Sequence, residues 1–152
     1  MAAAVVATLL LAACVPTPPG DPNMPCPVQG TVSFTDDFGA PRSGGRTHQG
    51  IDIFAPRGTP NVAVVAGAVF EQFESGYGNY ITLAGDDGTT YIYAHLDSFA
   101  GPNRQVATGE VIGYTGDSGN AVGTHTHFEL RPGGGAPANP YPTLERICTN
   151  RA

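Results

Sequence analysis

The stretch Y-I-T-L-A-G-D-D-G-T-T-Y-I-Y-A-H, residues 80–95, decides the fold class. Tyr80 to Ala84 and Thr89 to His95 alternate in the manner of strands, and the G-D-D-G between them, Gly85 to Gly88, is a strong hairpin signal. An antiparallel β-hairpin is therefore expected. Because side chains alternate along a strand, Tyr91, Tyr93 and His95 fall on one face of its second arm, and Ile92 and Ala94 on the other. His95 stands at the end of that arm.

The flanking sequence extends the same reading. Upstream, Asn61 to Phe70 is dominated by Val and Ala and reads as a strand continuing towards Glu74, with Gly67 as a bend. Downstream, Glu110 to Tyr114 makes a short strand between glycines, and the Gly-rich loop Thr115 to Gly123 delivers the chain to a further strand, Thr124 to Arg131. Gly (21) and Pro (14) are abundant and no uninterrupted helical pattern runs through the body, which favours turns and short strands. A length of 152 residues with 41% apolar content suits one modest domain with one core. The fold class is mainly β, a small antiparallel sheet. A formal net charge of -6 with seven Lys and Arg argues against a nucleic-acid partner, since that affinity rests on clustered cations.

The N-terminus has a different character. Met1 to Ala13 is apolar and small and ends L-A-A-C at Cys14, too short to span a bilayer as a helix, so residues 1–13 read as an export signal. The ending resembles the lipobox of bacterial lipoproteins, which implies a lipid-anchored Cys14 and a place at the outer face of a membrane; the absence of Lys or Arg after Met1 departs from that pattern. A plain secreted signal and a buried strand are the other readings. Residues 14–29, rich in Pro from Val15 to Pro27, form a semi-extended linker, 30–147 the domain and 148–152 a C-terminal tail. Cys26 and Cys148 bracket the domain as an even pair, either bridged in an oxidising compartment or left as two thiols.

All four histidines lie in three segments: H-Q-G-I-D (His48, Asp52), Y-A-H-L (His95) and H-T-H (His125, His127). Residues i and i+2 of a strand point the same way, so His125 and His127 project together, one able to ligate a metal while the other handles protons. His48 and Asp52 share a side if their segment is extended, with Gly50 between them to relax the backbone. Two imidazole nitrogens, from His48 and His127, and one oxygen, from Asp52, leave the fourth tetrahedral position open, the mark of a catalytic zinc. These residues predict a zinc hydrolase holding one Zn2+.

The combination H-x-G-x-D, a later Y-A-H-L and H-x-H followed by F-E resembles the LytM or lysostaphin-type zinc endopeptidases of bacterial cell walls, over roughly Phe38 to Arg131. That resemblance implies a small antiparallel β fold of the duplicated hybrid type, barrel-like, with a narrow groove between loops. It implies that His48, Asp52 and His127 hold zinc while His95 and His125 are the catalytic, non-ligating histidines. His125, held next to the ligand His127, is the candidate general base and His95 the candidate for orienting water or stabilising the oxyanion, a division that spacing leaves open. The resemblance further implies peptide crosslinks or stem peptides of peptidoglycan as substrate. Two other functions fit the same residues: a non-enzymatic envelope module that binds wall peptide or activates a partner hydrolase, and a secreted zinc peptidase acting on proteins. Among neighbouring polar residues, Asn79 reads as a turn residue ahead of a substrate contact, Glu129 as either an outer partner of His127 or a solvated strand carboxylate, and Arg42, Arg57, Tyr77 and Tyr114 as ordinary surface or packing residues ahead of groove-lining ones.

Overall fold

The computed structural model describes residues 23–152, and the expected signal and the Cys14 anchor lie outside them. Eight strands follow in chain order: β1 (Ile51–Phe54), β2 (Pro60–Val62), β3 (Gly67–Glu74), β4 (Gly78–Gly85), β5 (Thr89–Phe99), β6 (Arg104–Val106), β7 (Val111–Thr115) and β8 (His125–Pro132). Among the described residues one α-helix, α1 (Tyr141–Ile147), follows β8, and a 3-10 turn, Ser43–Gly45, precedes β1. The strands form one antiparallel sheet in the order β1-β8-β5-β4-β3-β6, with β2 joined through β7 to β5. The sheet is open, not closed into a barrel. Among the described residues no helix is long and apolar enough to cross a membrane.

The hairpin forms as its sequence requires. Gly88 adopts a left-handed backbone, its N–H donates to Gly85 O at 3.0 Å, and Asp87 locks the turn by accepting from Thr89 N and the Tyr91 hydroxyl. Beyond it, β5 pairs with β8 so that Tyr91 faces Leu130 and Tyr93 faces Phe128. These four side chains are buried, with Ile51, Ile53, Ile81 and Leu83, and form the core side of the sheet. The intervening residues Ile92, Ala94, His127 and Glu129 therefore face the opposite side, where the groove lies.

Several expectations need correction. The single strand expected over Asn61 to Phe70 is two strands: Val62 pairs with Val111 in β7, whereas Gly67 pairs with Gly85 and Val106. The break is plugged by the buried Tyr93, whose hydroxyl accepts from Val64 N at 3.1 Å and donates to Val62 O at 3.0 Å, satisfying backbone groups that no strand partner reaches. Gly67 is needed for close approach, since a Cβ there would lie 2.2 Å from Ala84 O. His95 is not at a strand end, nor on the face of Tyr91 and Tyr93. It sits inside β5 with φ of 62°, at the point where β5 leaves β8 after Ala94 and takes up β7 from Leu96. That left-handed residue breaks the alternation and turns the imidazole to the groove side. Strand β6 and helix α1 were absent from the sequence reading; the first has three residues and the second seven, too short for a periodic signal.

The packed body also exceeds the expected 30–147. Met24, Cys26 and Val28 lie in the core, Val28 bridges to Asn61, and Cys148 is buried after α1. Cys26 and Cys148 are joined, 122 residues apart in sequence. Closing a loop of that length restricts the unfolded chain by about 5 kcal/mol in the chain-entropy model.

Candidate active site

Strand register brings the ligand candidates together. Asp52 pairs with His127 and Phe54 with His125 across β1 and β8, so Asp52, His125 and His127 share the groove face while Ile53 and Thr126 turn to the core. His48 lies just before β1. Its approach depends on Gly50, where a Cβ would stand 2.3 Å from Phe128 O and 2.9 Å from the His127 ring. The glycine serves closeness; no bulge is involved.

Three atoms converge. His48 Nε2 lies 3.0 Å from Asp52 Oδ1 and 2.9 Å from His127 Nδ1, and His127 Nδ1 lies 2.9 Å from Asp52 Oδ1. A tetrahedral zinc with bonds of about 2.0–2.2 Å spaces its ligands about 3.3–3.6 Å apart, so these donors need to part by only a few tenths of an ångström. Two imidazole nitrogens and one carboxylate oxygen are the ligand types zinc takes. The residues fit the ion.

Outer partners orient each candidate ligand. His48 Nδ1 is within reach of Asp37 through both its backbone oxygen (3.2 Å) and Oδ2 (3.0 Å), which leaves Nε2 for the metal. His127 Nε2 is 3.0 Å from Glu129 Oε1, which leaves Nδ1. Asp52 Oδ2 accepts from Arg42 Nη2 at 3.3 Å, and Arg42 also pairs with Asp37 at 2.8 Å. Glu129 is 0% exposed, so the solvated reading of it fails; it accepts from the Tyr77 hydroxyl and from Arg131 Nε at 2.7 Å, and Arg131 continues to Gln49. Burial alone would raise the Asp52 and Glu129 carboxyls, but hydrogen bonds from His127 and, respectively, His48 and Tyr77 outweigh it and hold both below the usual carboxylate range. Burial pulls His127 down, yet Asp52 and Glu129 carry it above the ordinary imidazole value.

His95 and His125 stand beside this triangle without joining it. His95 Nδ1 donates to Ser118 O at 2.8 Å and His125 Nδ1 to Gly123 O at 3.1 Å, so each presents a bare Nε2. His125 Nε2 is 3.5 Å from Asp52 Oδ1, and the His95 ring lies 4.9 Å from that of His125 and 6.0 Å from that of His127. Burial pushes His95 down to about 4 and also lowers His125, leaving both neutral near pH 7. All five residues line one groove of about 720 Å³, walled on one flank by Arg42 to Gln49 and on the other by Glu74 to Tyr77 and Asn120 to Val122.

The sequence reading understated Tyr77 and Arg42. Tyr77 stacks on His127 with ring centroids 5.7 Å apart, bonds Glu129, and accepts His95 N at its own carbonyl at 2.8 Å. Asp37 and Ser118 were missed because each enters from a loop with no periodicity. Asn79, read as a turn residue, lies in β4 and donates to Leu96 O and Asp97 O at 3.3 and 3.4 Å, bracing β5 just past His95. Arg57 pairs with Asp97 and Asp117, and neither it nor Tyr114 lines the groove.

Residues 46–140 match Peptidase family M23. The chain belongs to that family. Among M23-type relatives, it is 42% identical over 112 residues to the DD-carboxypeptidase/endopeptidase Mpg of Neisseria meningitidis serogroup B, covering 70% of this chain and 26% of that protein. It is 32% identical over 141 residues to the L-Ala–D-Glu endopeptidase of Bacillus subtilis, covering 82% of this chain and 43% of the relative. This chain thus spans less than half the length of either. Among solved M23 structures, the catalytic domain of the prophage-encoded protein EnpA from Enterococcus faecalis superposes with a TM-score of 0.62 at 36% identity, covering 72% of this chain and 89% of that one. The resemblance drawn from the motifs holds: the relatives and the fold are of the LytM and lysostaphin type.

Proposed function

We propose that this chain is a zinc-dependent endopeptidase that hydrolyses peptide bonds in bacterial peptidoglycan, its crosslinks or stem peptides. The observation that carries the reading is the convergence of His48 Nε2, Asp52 Oδ1 and His127 Nδ1 within 3.0 Å of one another, with two bare imidazole nitrogens in the same groove. His48, Asp52 and His127 would hold the zinc, which when bound would supply a Lewis acid and make a water acidic enough to attack near neutral pH. His125, neutral and fixed by Gly123 O, accepts the proton from the attacking water and returns it to the leaving amine. His95, held by Ser118 O on the other side, orients that water or meets the oxyanion as charge develops. What supports this division is that His125 Nε2 lies 3.5 Å from Asp52 Oδ1, whereas the His95 ring packs against the rings of His125 and His127 at 4.9 and 6.0 Å.

The relatives support the substrate class through their names, which specify D-amino-acid bonds in both the Neisseria and the Bacillus protein. Wall peptides contain such residues. The apolar Met1–Ala13 segment and the L-A-A-C ending support export, with Cys14 as a lipid anchor at the outer face of a membrane, and the Cys26–Cys148 pair suits an oxidising compartment.

Zymography on purified walls tests the reading. Lysis by the parent that a chelator removes and zinc restores, and that His127→Ala and His125→Ala both lose, is the expected result. Lysis indifferent to both substitutions would end it; cleavage of casein but not of walls would move the substrate to protein, and binding to walls without cleavage would make the chain a non-enzymatic module.

A further inference from the structure

We propose that Arg46 is a specificity determinant of this groove and takes a free carboxylate of the substrate peptide; the proposal rests on the peptidase reading above. The chain contains seven arginines and no lysine at a net charge of -6, so an uncommitted cation is scarce. Arg42, Arg57, Arg104, Arg131 and Arg151 each pair with a carboxylate. Arg46 pairs with none among the described residues, although it lines the groove.

Local structure aims and holds it. Gly44 and Gly45 both take left-handed backbones, with φ of 73° and 72°, and fold the 3-10 turn so that Arg42 N donates to Arg46 O at 2.9 Å. The Arg46 side chain then reaches back, Nε donating to Ser43 O at 3.1 Å and Nη2 to Ser43 Oγ at 3.4 Å. One edge of the guanidinium is thereby restrained and Nη1 stays free for an incoming carboxylate, the partner whose planar geometry suits it best. On the opposite flank of the sheet, the end of β3 brings Glu74 into the same groove with no cation partner among the described residues, only Tyr77 N at 3.4 Å. The two flanks carry opposite sign. A peptide with a free carboxylate is drawn to the Arg46 side and repelled from the Glu74 side, which fixes the direction in which it lies across the histidines.

The test uses crosslinked tetrapeptide dimers released from cell walls, with carboxylates free or converted to carboxamides. The zinc-loaded parent is expected to show a kcat/KM about tenfold higher for the free-carboxylate dimer, mainly through KM, the scale of one charge-assisted hydrogen bond. Arg46→Ala should bring the free-carboxylate dimer down to the level of the amidated one, Arg46→Lys should keep part of the preference, and Arg46→Glu should reverse it. No preference in the parent, or an equal loss on both dimers in Arg46→Ala, overturns the proposal. If the parent cleaves neither dimer the peptidase reading fails instead, and calorimetric binding of the two dimers to zinc-loaded His125→Ala with and without Arg46→Ala still decides the role of Arg46.

Discussion

Strands β8 and β5 run side by side through the floor of the groove and deliver their histidines by opposite means. In β8, His125, His127 and Glu129 reach the groove by plain alternation, and the register with β1 sets Asp52 against His127 at no backbone cost. In β5, His95 arrives by violating alternation, with a φ of 62° that a residue bearing a Cβ adopts at a cost of about 1–2 kcal/mol. The first arrangement is inherited from the sheet itself. The second is imposed by neighbours: Tyr77 O receives His95 N, Ser118 O receives the ring, and Ser118 Oγ with Asn79 ties down Leu96 O. Two of the three proposed zinc ligands, Asp52 and His127, thus ride on paired strands and His48 on the segment just before β1, while the more distant histidine is held in strain by the loops of the groove.

The largest effect should come from the regular half. His127→Ala is expected to weaken zinc binding by more than the about 10- to 100-fold typical of losing an outer partner, and to reduce hydrolysis to background; competition against a chromophoric chelator reads the first, and a near-parental affinity would break the assignment of β8 as the ligand strand. His125→Ala should lower kcat by about 10² to 10⁴ with zinc content unchanged, because only a proton carrier is removed. Loss of zinc in that variant would show His125 to be a ligand. Glu129→Gln sharpens the picture one shell further out: the same competition assay should show zinc affinity falling about 10- to 100-fold, as the buried partner of His127 loses its charge.

On the strained half the expected effects are smaller. His95→Val should be less stable than His95→Gly by about 1–2 kcal/mol in denaturant unfolding, since glycine accepts the left-handed backbone and a β-branched residue does not. Equal stabilities would mean that β5 relaxes to a regular strand when the ring is gone. The smallest signal is a titration. In zinc-free protein the His95 ring should stay neutral until pH about 4, whereas the unfolded ring takes its proton near 6.5, so this residue weakens the fold as pH falls from about 6.5 to about 4. Ring-carbon NMR shifts follow it directly, and a midpoint near 6.5 would place the ring in solvent.

The same contrast explains what could be read before the fold was seen. Wherever side chains obey a period of two, the residues predict their neighbours: the Gly85–Gly88 turn, the joint projection of His125 and His127, and the shared side of His127 and Glu129 all appear in the structure. Where the chain changes partner, the pattern misleads. Asn61 to Phe70 looks continuous because Val and Ala persist across the break that the Tyr93 hydroxyl fills, and His95 looks like a companion of Tyr93 because a positive φ leaves no mark in composition. Asp37, Arg42 and Tyr77 lie in segments without periodicity, so their service to His48, Asp52 and Glu129 had no local signal.

What the residues determine on their own is the sheet, the glycine punctuation and the inventory of donors: four imidazoles and Asp52 in three segments, because strand alternation and the chemistry of histidine are local properties. Only the tertiary structure decided that His48, 79 residues from His127, comes within 2.9 Å of it, which nitrogen of each ring is bare, and that Glu129 is buried beneath Tyr77. Those are matters of long-range register and of which carbonyl or carboxylate stands behind a ring, and for His48, His95 and Glu129 the partner lies far away in sequence.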